Sequence, residues 1–438
     1  FGTSSSKQDR RLKMAIRGGS GAARGFQIIV GVGIIFAVFA LGATVQAQTF
    51  QVISTLPTEW FASQLTSDEA GNLYGVTANS GEYRDNEICE DGCGAILELY
   101  RQGPQWVLIT LYTFQGVADG FNPAGQLTFG PDGLYGTTLY GGFWGFGTVY
   151  RLTPLCKTVC NGWLPWKHSV LYSFQNGNCD TGCDGRYSST PLTFDQSGNL
   201  YGITEYGGLG NNGMGQGTVF RLSPRSLGGV KWQETQLYAF GEIQDDGVQP
   251  QGVLRDAAGN LYGTTVNGGD YNFGAVYELE NKDNAFTEVV LHSFDYSDGA
   301  HPVSGLIADA SGNLYGTSYG GASGGTVFEL SRSANGWTFN VLYNSQPGQA
   351  SSLQGLAIDT AGNLYGVGYA GGMFNDGAIF KLTPSANGWV YASLHDFTGA
   401  LDGEYPESLY LDSRGNLYGS AHCGSGCDTS IIWMITPK

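Results

Sequence analysis

One phrase is written seven times in this chain, and few folds tolerate such repetition. "GNLYGTTVNGGDYNFGAVYELE", residues 259–280, has near-copies whose anchor tyrosines are Tyr74, Tyr135, Tyr201, Tyr262, Tyr315, Tyr365 and Tyr418, spaced 61, 66, 61, 53, 50 and 53 residues apart. Repeats on this scale mean a solenoid, a propeller or an array, in which each unit buries its apolar face against the next. A length of 438 residues would otherwise suggest two or three ordinary domains.

Each copy holds four strand-like pieces in the same order. In the fifth they are residues 305–309, 313–318, 326–330 and 337–343. The first two flank a short turn, Asp309-Ala310-Ser311-Gly312-Asn313, in which the Asp accepts from turn amides and Gly takes the left-handed position. Asp68, Asp195, Asp256, Asp359 and Asp412 repeat it, while the second copy has Gly130-Pro131-Asp132-Gly133, one residue shorter. Seventy glycines, 25 tyrosines and 23 phenylalanines suit short strands joined by tight turns, and little helix is expected.

Four antiparallel strands repeated seven times predict an all-β, seven-bladed β-propeller with four-stranded blades, occupying residues 48–438. A solenoid is the competitor, and the chain ends decide between them. Thr49-Phe50-Gln51-Val52-Ile53 matches the fourth strand Thr338–Leu342, and the terminal run Ile431–Pro437 matches the third strand Ala378–Pro384. The expectation is a ring in which the amino-terminal strand completes the carboxy-terminal blade, with residues 50–56 along 430–436.

"GNLYGTT", the following "GG", then "GTVF" or "GAVY", and the recurrent "LTP" resemble the tandem repeats of exported bacterial GloVer repeat proteins, over about residues 58–438. The resemblance implies a repeat architecture and no particular reaction. More loosely, "D-x-x-G-N-L-Y" is similar to the blades of gluconolactonase-type and NHL-type propellers.

Residues 1–47 are set apart. Met14 is a candidate start, Arg17 and Arg24 precede the apolar run Ile28–Leu41, and Val45-Gln46-Ala47 forms a cleavage-like end, the pattern of a signal peptide. A retained membrane anchor is the alternative, because the run from Phe26 to Val45 approaches the span of a bilayer. The expected location is secreted or periplasmic. Loss of this segment removes six Lys/Arg and one Asp and shifts the net charge from −17 to about −22. That balance repels nucleic acid and anionic membrane surfaces, so neutral or cationic partners and a monomer are expected.

All eight cysteines fall in close pairs: Cys89/Cys93, Cys156/Cys160, Cys179/Cys183 and Cys423/Cys427. An even count in an exported chain argues for local disulfides, and a metal site would need two pairs converging on one ion.

In a four-stranded blade the second-to-third and fourth-to-first loops share one face. The fourth-to-first loops carry Asp119, Asp184, Asp246, Asp298 and Asp402, each followed by Gly, and most place a proline soon after. Asp-Gly is a common turn pair; it also offers carboxylates for a cation or a polyhydroxylated ligand. The second-to-third loops add Tyr140, Tyr206, Tyr319 and Tyr369 before paired glycines, with Asn79, Asn267 and His422 at comparable places. Flat rings beside amides and carboxylates suit sugars, whereas packing between blades is the structural alternative. No nucleophile elbow, zinc-binding helix motif or phosphate-cradling glycine loop is present.

The leading expectation is a binding or scaffold module for glycans or cell-surface material. The alternatives are a metal-assisted lactonase or lyase, with calcium held by some of the loop carboxylates and His422, and a structural adhesion protein with no small ligand.

Overall fold

A computed structural model describes residues 48–56, 64–79, 89, 92–155, 166–175, 184–208, 215–225, 232–241, 243, 246–424 and 429–436. The expected signal or anchor segment, and Cys156, Cys160, Cys179, Cys183 and Cys427, lie outside these residues.

The strands form seven antiparallel sheets, and no helix occurs among the described residues. Six sheets are blades of four consecutive strands. The fifth contains Ile307–Ala308, Leu314–Ser318, Thr326–Ser333 and Gly336–Asn344, so its inner strand is shorter and its outer hairpin longer than the sequence pattern suggests. In the seventh sheet Thr49–Thr55 pairs with Ser430–Thr436, which pairs with Leu417–His422 and the short inner pieces Glu404–Pro406 and Tyr410–Leu411. The register sets Phe50 opposite Ile435 and Thr55 opposite Ile431.

The core lies between blades. Tyr262, Val276 and Phe294 of the fourth blade pack with Leu306, Leu314, Phe328 and Leu330 of the fifth. The same arrangement joins the ends of the chain, where Tyr418, Ile432 and Met434 cluster with Leu65, Leu73, Leu97 and Leu99 of the first blade. Such burial removes apolar area from water at about 25 cal/mol per Å², shared between neighbouring blades and within none alone.

The phrase "Leu-Tyr-Gly" has a packing reason. Gly316 pairs directly across the ladder with Phe328, and a Cβ there would lie 2.4 Å from the Phe328 ring. The glycine makes room for the largest side chain of the next strand. The adjacent tyrosine is anchored by the hairpin aspartate. Asp309 Oδ1 accepts from the Asn313 amide at 2.9 Å, and Oδ2 accepts from the Asn313 side chain at 2.9 Å and from the Tyr315 hydroxyl at 3.2 Å. In the shortened second copy Asp132 takes over, accepting from Tyr135 and pairing with Arg151 at 2.6 Å.

Candidate functional site

In five blades the fourth-to-first loop leaves the outer strand through a Leu-(Tyr/His)-x-Phe ending, as in Leu291-His292-Ser293-Phe294, and in the fifth blade Ser345 replaces the Phe. The Phe is fully buried and the ring two residues before it meets the loop carboxylate. The Tyr112 hydroxyl donates to Asp119 at 2.6 Å, Tyr172 to Asp184, and Tyr238 to Asp246 at 3.4 Å. His292 faces Asp298 at 2.7 Å and His395 faces Asp402 at 3.1 Å. Each carboxylate also accepts a loop amide, from Gln115, Gln175, Gly241, Asp295 and Thr398 respectively. In the sixth blade Gln349 stands in, accepting from Tyr343 at 2.6 Å. Asp119, Asp184, Asp246, Asp298 and Asp402 are thus each held at a separate outer strand and close its loop. Among the described residues no group of three or more His, Cys, Asp or Glu is placed to hold a metal ion.

Burial governs the titration of this outer layer. It raises Asp119 above the usual carboxylate range, against the opposing hydrogen bonds from Tyr112 and Gln115. It pushes Glu234 up to about 8, with Asp184 adding to the effect, and Glu288 likewise up to about 8 beside Asp246. Burial also lowers His292 and His395 despite their Asp partners. Both contacts are therefore hydrogen bonds from neutral imidazoles at neutral pH, and not full ion pairs.

Just beyond these loops the backbone does something unusual. Asn122, Tyr187, Gln249, His301, Ser352 and Tyr405 all adopt φ between +50° and +60°. They occupy one equivalent position in blades two to seven, at the entry to the innermost strand. The equivalent position of the first blade lies outside the described residues. Left-handed backbone is costly for a side-chain-bearing residue and persists only where its surroundings enforce it. Here each amide donates to the preceding blade's second-to-third loop, at 2.7 to 3.3 Å, reaching the carbonyls of Cys93, Phe146, Gln216, Phe273, Gly324 and Asp376. The constraint is an inter-blade hydrogen bond repeated six times.

These six residues interleave with the tyrosines of the second-to-third loops. Tyr187 sits edge-on to Tyr140 at 5.0 Å and to Tyr206 at 6.0 Å. Gln249 donates to the Tyr206 hydroxyl at 2.6 Å and accepts from Asn267 at 2.8 Å. His301 faces the Val266 carbonyl at 3.0 Å, and its own carbonyl accepts the Tyr319 amide. Tyr405 stacks on Tyr369 at 5.0 Å, and His422 lies edge-on to both. His422 Nε2 meets Glu407 Oε1 at 2.9 Å. Burial raises the Tyr369 hydroxyl, with Glu407, Tyr319 and Tyr405 adding to it. The result is a girdle of half-buried rings, amides and one His–Glu pair.

Two or three residues further along the same strands, a cavity of about 650 Å³ opens at the propeller axis. Its lining comes from all seven blades and mixes apolar side chains with neutral polar ones, Gln64, Gln126, Gln251 and Gln354 among them, and Glu407 is its single charged residue among the described residues. The girdle is the mouth of this channel. Tyr140, Tyr206, Tyr319, Tyr369 and His422 belong to it and stay partly exposed, and Tyr140, Tyr206 and Tyr369 each meet a side chain of the following blade. The left-handed residues between them escape a reading by residue type. A signal existed: four of the six directly precede proline, two residues after the Gly of Asp-Gly or its equivalent, where right-handed helical backbone is disfavoured.

Cys89 and Cys93 form a disulfide beside Phe114 and Leu127, and Cys423 is also disulfide-bonded.

The molecule is therefore a seven-bladed propeller with a glutamine-bearing axial channel and an aromatic mouth. The profile of the Gloeobacter/Verrucomicrobia repeat matches residues 27–230 and 214–433, and the chain belongs to that family. No curated protein sequence matches it. Among solved structures, it is similar to virginiamycin B lyase from Staphylococcus aureus, at 12% identity over 90% of this chain and 100% of that one, with a TM-score of 0.54. A putative 6-phosphogluconolactonase from Bacteroides fragilis matches at 15% identity over 82% and 88% of the two chains, with a TM-score of 0.50. At these identities the likeness is one of fold.

Proposed function

We propose that the protein is an exported binding module whose channel mouth takes a polyhydroxylated ligand, a glycan of cell-surface or environmental origin. The observation that carries this reading is the girdle itself. Six consecutive blades bear a strained backbone at one position, and the side chains so presented join the loop tyrosines and amides around a channel lined by glutamines. Rings stack on the apolar faces of sugars and amides bond their hydroxyls. The same face carries exposed Phe143, Trp144, Tyr271, Met373 and Phe374 at loop tips, which supports contact with something larger than one sugar unit.

Binding to a glycan array and to insoluble polysaccharides tests the reading. Tyr187→Ala and Tyr405→Ala should each weaken a positive signal at least tenfold without loss of fold. Silence across both formats would remove it.

A second reading, a channel-centred lyase or lactonase, is favoured by one observation: His422 and Glu407 form a hydrogen-bonded acid–base pair at the edge of the cavity. The two fold relatives carry enzyme names, a lyase and a putative lactonase. Metal analysis of the purified protein and its melting temperature with added calcium address the metal-assisted form. No copurified metal and no shift would leave it without support.

A further inference from the structure

The mouth is strongly acidic, with Asp270, Asp295, Asp376, Glu404 and Glu407 in its loops and inner strands, yet among the described residues it holds one permanent cation. Arg186, next to the left-handed Tyr187, is the only Lys or Arg in the described loops of this face. Its guanidinium carbon lies 5.2 Å from the ring centroid of Tyr187 and 5.5 Å from that of Tyr206. Its Nε is buried without a hydrogen-bond acceptor. Arg151, Arg221 and Arg255 also keep a buried Nε without an acceptor, but Arg151 pairs with Asp132, Arg221 donates to Asn284 and Arg255 donates to the Asp256 carbonyl. Arg186 is fixed by two aromatic faces and left without a carboxylate, in a protein rich in carboxylates.

A planar guanidinium is suited to an oxyanion, which it binds through paired N–H donors, and the two rings hold it in place before a ligand arrives. A neutral hydroxyl can accept from such a group, but only an anion also balances its charge.

We propose that Arg186 reads a single anionic group, a carboxylate or a phosphate, on an otherwise neutral, hydroxyl-rich ligand. The surrounding acidic residues make it selective, because they repel ligands of dense negative charge while Arg186 accepts a lone one. This rests on the glycan reading above and narrows it to acidic saccharides.

The test compares matched oligosaccharides bearing glucose, glucuronate or glucose phosphate units, titrated into the intact protein by calorimetry. Wild-type protein should bind one of the two charged forms at least tenfold more tightly than the neutral form. Arg186→Gln should abolish that preference, and Arg186→Lys should restore part of it. The better of glucuronate and phosphate identifies the oxyanion. Equal binding of neutral and charged forms, unaffected by Arg186→Gln, would overturn this inference and leave the glycan reading standing. Absence of binding to all three forms would overturn both.

Discussion

Phe50 stacks on His395 with ring centroids 3.6 Å apart and planes tilted by 4°. The same contact joins Phe339 to His292 between the fourth and fifth blades, at 3.5 Å and 6°. An amino-terminal residue thus occupies the place that an internal fourth strand fills elsewhere in the ring. Tyr112 on His168 and Tyr343 on Tyr391 are further versions of this outer clasp.

Phe50→Ala should therefore lower unfolding stability by about 2 kcal/mol, since it removes a stacked ring that also meets Phe397 and Trp433. Val52→Ala, at an exposed position on the same strand, should cost well under half as much. Removal of residues 48–55 should cost far more than either, because the strand Ser430–Thr436 would lose its outer partner. Denaturant titration of the three proteins checks the order.

Gly377 has φ +96°, and a Cβ there would lie 2.3 Å from Cδ of Pro406 in the next blade. Gly377→Ala should cost more than about 2 kcal/mol, combining backbone strain with a clash at a blade junction. Gly312 has a comparable φ of +83° but open space around it, so Gly312→Ala should cost only about 1 kcal/mol. Similar losses from the two substitutions would mean that the junction is soft.

Two buried groups give stability opposite slopes with pH. Burial lowers His168 from 6.5 to about 4. Its contribution is complete above the unfolded value and is lost as pH falls from about 6.5 toward 4, because the unfolded chain then takes up a proton that the folded chain refuses. His168→Phe, which keeps a ring against Tyr112, should flatten that acid limb by roughly 2 kcal/mol. Burial, with Asp246 second, raises Glu288 to about 8. Its contribution is complete below about 4.5 and is lost as pH rises through 8, so Glu288→Gln should be relatively more stable at pH 9. Unfolding free energies from pH 4 to 9 at constant salt decide both arms.

The wheel was legible because its rule is periodic: four strands, a hairpin aspartate and an anchoring tyrosine recur at spacings that a reader can align. Asp132 shows the limit, since it performs the hairpin role from a shifted position that alignment alone treats as a gap. The loop tyrosines were legible as residue types. Their partners were not, because nothing in the identity of Asn122, Ser352 or Tyr405 announces a left-handed backbone, which is imposed by a carbonyl on the neighbouring blade. The loop aspartates were legible in sequence and ambiguous in role. In the fold each is tied to a ring of its own outer strand. Arg186 is a lone arginine in the sequence, and its place against two rings with no carboxylate partner arises only from the fold.

The six left-handed positions have a further implication. Their main chain is dictated by a bond from amide to carbonyl, and neither atom depends on the side chain attached. Asparagine, tyrosine, glutamine, histidine and serine all stand there within one molecule. The frame is thus indifferent to what it displays, so kindred proteins can exchange the lettering around the aperture one character at a time, acquiring new tastes while the rotor beneath stays the same.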